Sequence, residues 1–456
     1  MRPASLFPSE ETLGINTDLY ELAMAAAYFK AGRMGDQGTF ELFTRELPTG
    51  RNFLVAAGLE QALHFIQNLQ FNDKTLEYLR GLELFEATEA AFFDHLSSLR
   101  FTGQINALPE GTIFFPNEPI LQITAPIIEA QIVETYLINS INFQSMVASK
   151  AARICLAAKG KPVIDFGTRR AHSPQAGVLA ARAAFIGGCE GTSNVLAGYE
   201  LGIPVYGTMA HSFVQFFDQE FEAFRRFHEA FPDGSTILVD TYDTLAGVKK
   251  VLDLPGEIDA VRLDSGDLHQ LSVETRRLLD EQGRSKVRIF ASGDLNEAKL
   301  QALANSPIDG YGVGTELVVS ADAPSCNLVY KLVEVVREGK IQPRMKTSQG
   351  KATLPYRKHI LRRICEGSFS GDQLCTKTEL PAEGMDEDLS LLQNYVKNGR
   401  LVCELPEARQ IRKYAGEQLR RLPAIFKLLR GAQAYPVEPS PHLLQIQKEL
   451  KKELVG

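Results

Sequence analysis

Cysteine is scarce and unpatterned. Cys155, Cys189, Cys326, Cys365, Cys375 and Cys403 form no Cys-x-x-Cys pair and no regular framework. In a chain of 456 residues this excludes a disulfide scaffold, suggests no zinc site, and leaves the thiols expected as reduced. Long apolar runs are missing too. Nowhere do about 18 apolar residues follow one another, and the opening MRPASLFPSEETLG lacks the apolar core of a secretory signal. A soluble, cytoplasmic protein with no membrane partner is expected. Positive charge is in deficit: 49 Lys and Arg against 56 Asp and Glu give a formal net charge of −7. That argues against a general binder of nucleic acid or anionic membranes, but not against an anionic small substrate in a locally basic site. Internal repeats and low-complexity tracts are also absent.

What remains is an ordinary globular balance, 44% apolar and 23% charged. The length exceeds what one hydrophobic core serves, so more than one domain is expected. The reading is an N-terminal α/β domain at 1–145, a β/α barrel at 146–322 and a C-terminal region at 323–456 that packs with the first. TDLYELAMAAAYFKAG reads as a helix with Thr17 as N-cap and Leu19, Leu22, Ala26 and Phe29 on its apolar face. Residues 40–100 carry further helical patterns, and FTGQINALPEGTIFFPNEPILQITAP suggests a small antiparallel element. One long helix is expected from Ile127 to about Lys159. Beyond it lie a β-like KLVEVVREGK, a basic turn-rich stretch KTSQGKATLPYRKHILRR, and helical patterns to the end.

Between 161 and 320 the short apolar runs PVIDF, IPVYG, TILVD, AVRL, VRIFA and IDGYGVG alternate with helical patterns. That implies a parallel sheet and, with so many units in series, a β/α barrel. Functional residues of such barrels sit on the loops leaving the carboxyl ends of the strands. Here those loops carry Asp165 to Arg170, then Thr208 and His211, then Asp240 and Asp243, then Asp264 to Asp267, then Ser292, Gly293 and Asp294, and finally Gly314, Thr315 and Glu316. Arginines beside glycine turns suit phosphate, because guanidinium forks bind anionic oxygens and glycine lets backbone N–H groups approach them. Neighbouring carboxylates suit a hydrated Mg2+ ion or sugar hydroxyls. Together they describe a phosphorylated sugar. Each also has a plainer reading: Asp264 and Asp294 as helix caps, one of Arg169 and Arg170 as solvated or structural, and His211 as a hydrogen-bonded core histidine. The place of His211 on the rim favours chemistry, while Phe213, Phe216 and Phe217 read as helix packing.

The motifs TDLYELAMAAAYF, PEGTIFFPNEP, DFGTRRAHSP, GTSNVLAG, GTMAHSF, VRLDSGDL, ASGDLNE and GVGTELV run in one order from residue 17 to residue 318, and VYKLVE extends them. In these motifs the sequence resembles the nicotinate phosphoribosyltransferase family, type II phosphoribosyltransferases of NAD synthesis. It lacks the paired-acid motif of the type I enzymes. The resemblance implies an irregular β/α barrel plus a second α/β domain built from N- and C-terminal segments, in a homodimer with active sites at the subunit interface. It implies that nicotinate and phosphoribosyl pyrophosphate (PRPP) give nicotinate mononucleotide and pyrophosphate, with ATP hydrolysed and Mg2+ serving both phosphate substrates.

The resemblance also implies roles. Phe166 and a Tyr20 supplied by the second subunit would sandwich the pyridine ring. Arg169, Arg262 and the Thr208 hydroxyl would meet the nicotinate carboxylate or a nearby phosphate. Asp264 and Asp294 would hold ribose hydroxyls or Mg2+-bound water, and Gly293, Gly314 and Thr315 would receive the 5′-phosphate. Ser193 stands where the related nicotinamide-using enzymes carry an aspartate, which would repel the nicotinate carboxylate. His211 takes the place of the family's phosphorylated histidine, an imidazole nucleophile toward the γ-phosphate of ATP. Tyr356, in LPYRKH, replaces a glycine, and residues near 365 to 400 depart from the family pattern. Metal ligands stay unassigned.

Other functions compete with this one. A nicotinamide-specific enzyme is disfavoured by Ser193. A ligand-binding homologue without catalysis is disfavoured by the intact set of Arg169, His211, Arg262, Asp264 and Asp294. A phosphosugar aldolase or isomerase is further off, since no strand end carries a Schiff-base lysine.

Overall fold

The computed structural model describes residues 8–348, 350–380, 389–431 and 433–455. The first seven residues of the chain opening, Gln349 of the basic stretch and residues 381–388 of the divergent C-terminal part lie outside them. The apolar runs of the middle section form six parallel strands: β1 Val163–Asp165, β2 Gly191–Thr192, β3 Thr236–Leu238, β4 Ala260–Leu263, β5 Arg288–Ala291 and β6 Gly310–Val313. Their order is β2-β1-β6-β5-β4-β3. Flanking helices cover the outer face, so the strands are mostly buried rather than alternating, with Asp165 and Arg262 as charged residues near their carboxyl ends.

The run IPVYG is not a strand. Val205 makes an isolated parallel bridge to Thr192, supported by Thr192 N–H to Pro204 O at 3.0 Å and Tyr206 N–H to Thr192 O at 2.9 Å. Three residues later the Thr208 hydroxyl donates to Thr236 O at 2.7 Å. Residues 204–208 therefore join edge strand β2 to edge strand β3 and close the sheet into an irregular barrel. A full ladder cannot form there because Pro204 has no N–H to give. The sixth strand of the sheet is instead the two-residue β2, too short to show a period in the sequence. Inside, β6 turns glycines to the lumen: a Cβ on Gly312 would lie 2.4 Å from the Phe166 ring, and one on Gly310 2.6 Å from Phe290. Glycine makes room for the two aromatic rings.

The second unit is a seven-stranded antiparallel sheet in the order Lys340–Pro343, Val329–Arg337, Gln37–Phe43, Leu121–Pro126, Gln104–Ala107, Gln393–Lys397, Arg400–Leu401. Strands from before and after the barrel interleave, so N- and C-terminal segments share one sheet. Three expectations need correcting. QGTFELF, whose last four residues fall in the region read as helical, is the interior strand Gln37–Phe43, third of the seven, and six of its seven residues are buried. Burial on both faces erases the period-2 signal. The C-terminal part is not helical throughout: His359–Cys365 and Ser368–Cys375 pair as a hairpin, turned by Glu366 and Gly367 at φ 49° and 76°, the two-residue geometry that suits strand twist. The long helix is two, Ile127–Ile132 and Glu134–Ala157, parted at Val133.

The first helix, Leu19–Lys30, has Asp18 and not Thr17 at its N-cap position. The Asp18 carboxylate accepts from the Thr135 hydroxyl at 2.8 Å. Its buried side includes Glu21, which accepts from Gln131 at 2.7 Å, while Leu19 stays exposed.

Two polar clusters hold the C-terminal segments in place. Arg362, with no exposed side-chain surface, donates through Nε and Nη2 to Asp372 at 2.9 and 2.5 Å. Its guanidinium lies 4.7 Å from the Phe369 ring centre and 5.5 Å from Phe115. Glu118, 3.9 Å away, is pushed above the usual carboxylate range by burial and by Asp372. The charged pair is thus Arg362–Asp372. The second cluster is the buried pair Lys358–Glu41 at 2.5 Å; Lys358 Nζ also donates to Tyr356 O at 2.9 Å. That contact holds Tyr356 at φ 60°, a left-handed conformation costly for any residue with a Cβ. Tyr356→Gly is therefore expected to be more stable than Tyr356→Ala by about 1 kcal/mol, the reverse of the usual order. Urea unfolding of the two variants checks it, and an alanine variant at least as stable as the glycine one would refute it.

Candidate active site

The strand-end loops bring three side chains, Arg262, Ser292 and His211, together around Asp264. Arg262 and Asp264, two residues apart at the end of β4, project to the same side, and Arg262 Nη2 donates to Asp264 Oδ1 at 2.7 Å. Arg262 Nε donates to Ser292 Oγ at 2.8 Å, and the Ser292 hydroxyl in turn donates to Asp264 Oδ1. The other carboxylate oxygen, Oδ2, lies 3.8 Å from His211 Nε2. Burial works to raise the Asp264 carboxyl, but Arg262, the Ser292 hydroxyl and His211 outweigh it and hold it below the usual carboxylate range. Asp264 is an ionised group facing an imidazole.

The capping alternative fails for both aspartates. Asp267 caps helix Leu268–Glu281 by accepting from Gln270 N–H at 3.0 Å, and Asn296 caps Glu297–Ala302. Asp294 is exposed at φ 47°, free of the helix behind it. Beside it Gly293 has φ 99°, and a Cβ there would lie 2.0 Å from Asp264 O. Only glycine lets these two loops meet. Gly293→Ala would push the Asp264 turn outward by about an ångström, and such a displacement lowers kcat/KM by about a hundredfold. Steady-state kinetics on that variant checks this; turnover within a fewfold of the parent would mean the two loops move independently.

On the neighbouring strands, buried Asp165 ties two more loops together. Its Oδ1 accepts from Gly167 N–H at 2.8 Å and its Oδ2 from the Thr192 hydroxyl at 2.7 Å, while Ser193 N–H donates to Asp165 O. Phe166 and Ser193 are thereby set side by side. The Phe166 ring lies 5.5 Å from the Arg262 guanidinium and 6.2 Å from the Phe290 ring. Arg169 and Arg170 are both exposed. The Thr208 hydroxyl spends its proton on the barrel seam. Gly314 opens the short helix Thr315–Val318, and Thr315 is exposed.

Tyr20 is not part of this cluster within one chain. It is half-exposed on a helix packed against Ile127–Ile132 and Ala90–Ser98, and its hydroxyl is pushed up by burial and by Glu21. Phe213 and Phe217 pack edge-to-face at 5.2 Å as expected, whereas Phe216 is 82% exposed. One neighbour of His211 escaped the sequence reading: Thr241, whose Oγ1 lies 3.1 Å from His211 Nδ1. Its signal was adjacency to Asp240 at a strand end. Among the described residues no group of three or more His, Cys, Asp or Glu is arranged to hold a metal ion, and no helix is long and apolar enough to cross a membrane.

Comparison with known proteins gives three family matches along the chain: the nicotinate phosphoribosyltransferase N-terminal domain at residues 15–142, the quinolinate phosphoribosyl transferase C-terminal domain at 147–324, and the nicotinate phosphoribosyltransferase C-terminal domain at 387–447. The chain is 46% identical to nicotinate phosphoribosyltransferase pncB2 of Mycobacterium tuberculosis over 94% of its own length and 92% of that protein. It is 36% identical to nicotinate phosphoribosyltransferase of Bacillus subtilis, over 94% of each. Among solved structures it is similar to human nicotinic acid phosphoribosyltransferase, with 31% identity, a TM-score of 0.83 and coverage of 96% of this chain and 100% of that one.

Proposed function

We propose, for a chain that belongs to the nicotinate phosphoribosyltransferase family, that the rim formed by Arg262, Asp264 and His211 is where its reaction takes place. The protein is a nicotinate phosphoribosyltransferase of NAD biosynthesis. The observation that carries the site is the ionised Asp264, held between His211 and an Arg262 whose guanidinium lies over the Phe166 ring.

Displacing pyrophosphate from C1 of the ribose builds positive charge on the sugar. The pyridine nitrogen of nicotinate already offers a lone pair, so no general base is needed; orientation and stabilisation of the separating charges are. Asp264 supplies a fixed negative charge at the rim, and Asp264 and Asp294 are set to accept from ribose hydroxyls. Phe166 takes one face of the ring. Arg169, exposed and uncommitted, meets the carboxylate, with Ser193 alongside in place of a repelling carboxylate. Gly293, Gly314 and Thr315 offer N–H and hydroxyl donors to the 5′-phosphate, and Thr208 acts through the wall it completes. Mg2+ typically binds through one or two carboxylates plus substrate phosphates rather than in an all-protein cage. The Asp264 and Asp294 pair fits that habit, and the ion would neutralise phosphate charge.

The second face of the ring falls to Tyr20 of a second copy, because its own chain keeps it away from Phe166. Val195, Leu196 and Tyr199, directly after Ser193, are exposed at 52% or more and form an apolar face that a homodimer would cover. ATP drives the reaction through His211: the imidazole attacks the γ-phosphorus, an N–P bond forms, the P–O bond to ADP breaks, and water later resets the histidine.

Incubation with ATP followed by mass spectrometry should find acid-labile phosphate on the peptide containing His211. Assay with PRPP should show faster turnover of nicotinate than of nicotinamide. A faster nicotinamide reaction would overturn the base assignment, and an unmodified peptide would overturn the ATP step.

A further inference from the structure

The end of β3 carries two adjacent side chains with no role above, Asp240 and Thr241. Asp240 is 8% exposed and turns toward the β4 loop. Its Oδ2 accepts the Asp264 N–H at 2.9 Å and the Ser265 hydroxyl at 2.6 Å. Thr241 reaches His211 Nδ1 at 3.1 Å. Successive residues leaving a strand point opposite ways, so one dipeptide reaches both partners of the His211–Asp264 pair. Helix capping does not explain Asp240, since the following helix Thr244–Leu252 is capped by Asp243. Stability does not explain it either. Among the described residues Asp240 has no cation partner, and its Oδ1 is buried without a hydrogen bond. A buried carboxylate held by two donors on one oxygen weakens a fold; such exceptions gather at functional sites.

We propose that Asp240 and Thr241 are positioning residues of the reaction, Asp240 setting Asp264 and Thr241 setting the ring of His211. The inference rests on the rim being the site of transfer. In this proposal the ring proton sits on Nδ1, donated to Thr241 Oγ1 across the 3.1 Å contact, so that the lone pair of Nε2 is the one presented to ATP. Attack then forms the Nε2–P bond, releases ADP and keeps the ring proton on Nδ1. Phosphate should therefore arrive on Nε2.

Thr241→Val keeps the shape and removes the hydroxyl. It is expected to slow phosphate incorporation from ATP by about tenfold to a hundredfold, the range for losing an orienting partner, and to yield a mixture of the two phosphohistidine isomers by phosphorus NMR. Thr241→Ser should restore both the rate and the single Nε2 isomer. Asp240→Ala should lower kcat by about a hundredfold with KM for nicotinate little moved, and Asp240→Asn, which keeps an acceptor oxygen, by less than about tenfold. A valine variant phosphorylated at the parental rate on Nε2 alone, or a serine variant no better than valine, overturns the role of Thr241. Parental kcat in Asp240→Ala overturns that of Asp240. Should that variant fail to fold, Ser265→Ala removes one of its two donors from an exposed loop; a severalfold fall in kcat supports the role and an unchanged kcat overturns it. Failure of the underlying reading is told apart by the unaltered protein making no nucleotide from nicotinate and PRPP.

Discussion

His211→Ala should abolish ATP hydrolysis, taking it below about a thousandth of the parental rate, as expected when a nucleophile is removed. Slow synthesis of nicotinate mononucleotide without ATP should survive. The asymmetry follows from the division of labour at the rim. Asp264, Arg262 and Phe166 remain paired with one another when the imidazole goes, so the sugar and ring contacts persist. The fold should tolerate the change, because the histidine opens a helix, is 42% exposed and is replaced by a good helix former. Phosphate release from ATP, followed beside nucleotide formation, separates the two activities. Undiminished ATP hydrolysis would remove His211 from the mechanism.

Arg362→Ala should destabilise the protein by about 3–5 kcal/mol, the loss that follows when one partner of a buried ion pair is removed. Asp372 would be left fully buried without a cation, with the Tyr435 hydroxyl at 2.9 Å and the neighbouring Glu118 carboxyl as its remaining partners among the described residues. Three aromatic rings that now surround a guanidinium would face a void. Lysine is no substitute, since it offers neither the planar fork nor the stacking face. Denaturant unfolding measures the change; a loss below about 1 kcal/mol would mean that water or a shifted side chain replaces the arginine.

The catalytic rim was legible because the barrel section repeats short, largely apolar runs that each empty into a polar or glycine turn. That pattern placed His211, Asp264 and Gly293 on one end before any contact was known, whereas Arg262, inside the run AVRL, entered only through the family resemblance. It could not decide between a cap and a site for Asp264; only the hydrogen bond from Gln270 N–H to Asp267 does that. Gln37–Phe43 was illegible for the opposite reason: nearly complete burial removes alternation, and its pairing partners lie far away in sequence. The hairpin turning at Glu366 was hidden by a glutamate in a conformation that usually belongs to glycine or asparagine. Thr241 was missed although it follows Asp240 at a strand end, because its contact is with a partner 30 residues distant.

The seven-stranded sheet also sets a schedule for synthesis. Gln37–Phe43 can pair with Leu121–Pro126 as soon as both have emerged. Its other edge waits for Val329–Arg337, roughly 200 residues later, or about 10–40 s at ribosomal rates. The barrel lies between these strands and can close first. A nascent chain thus holds a finished barrel beside a half-built sheet with two open hydrogen-bonding edges, Gln37–Phe43 awaiting Val329–Arg337 and Gln104–Ala107 awaiting Gln393–Lys397, the surfaces most prone to join another chain. Premature termination after the barrel would leave both edges open for good.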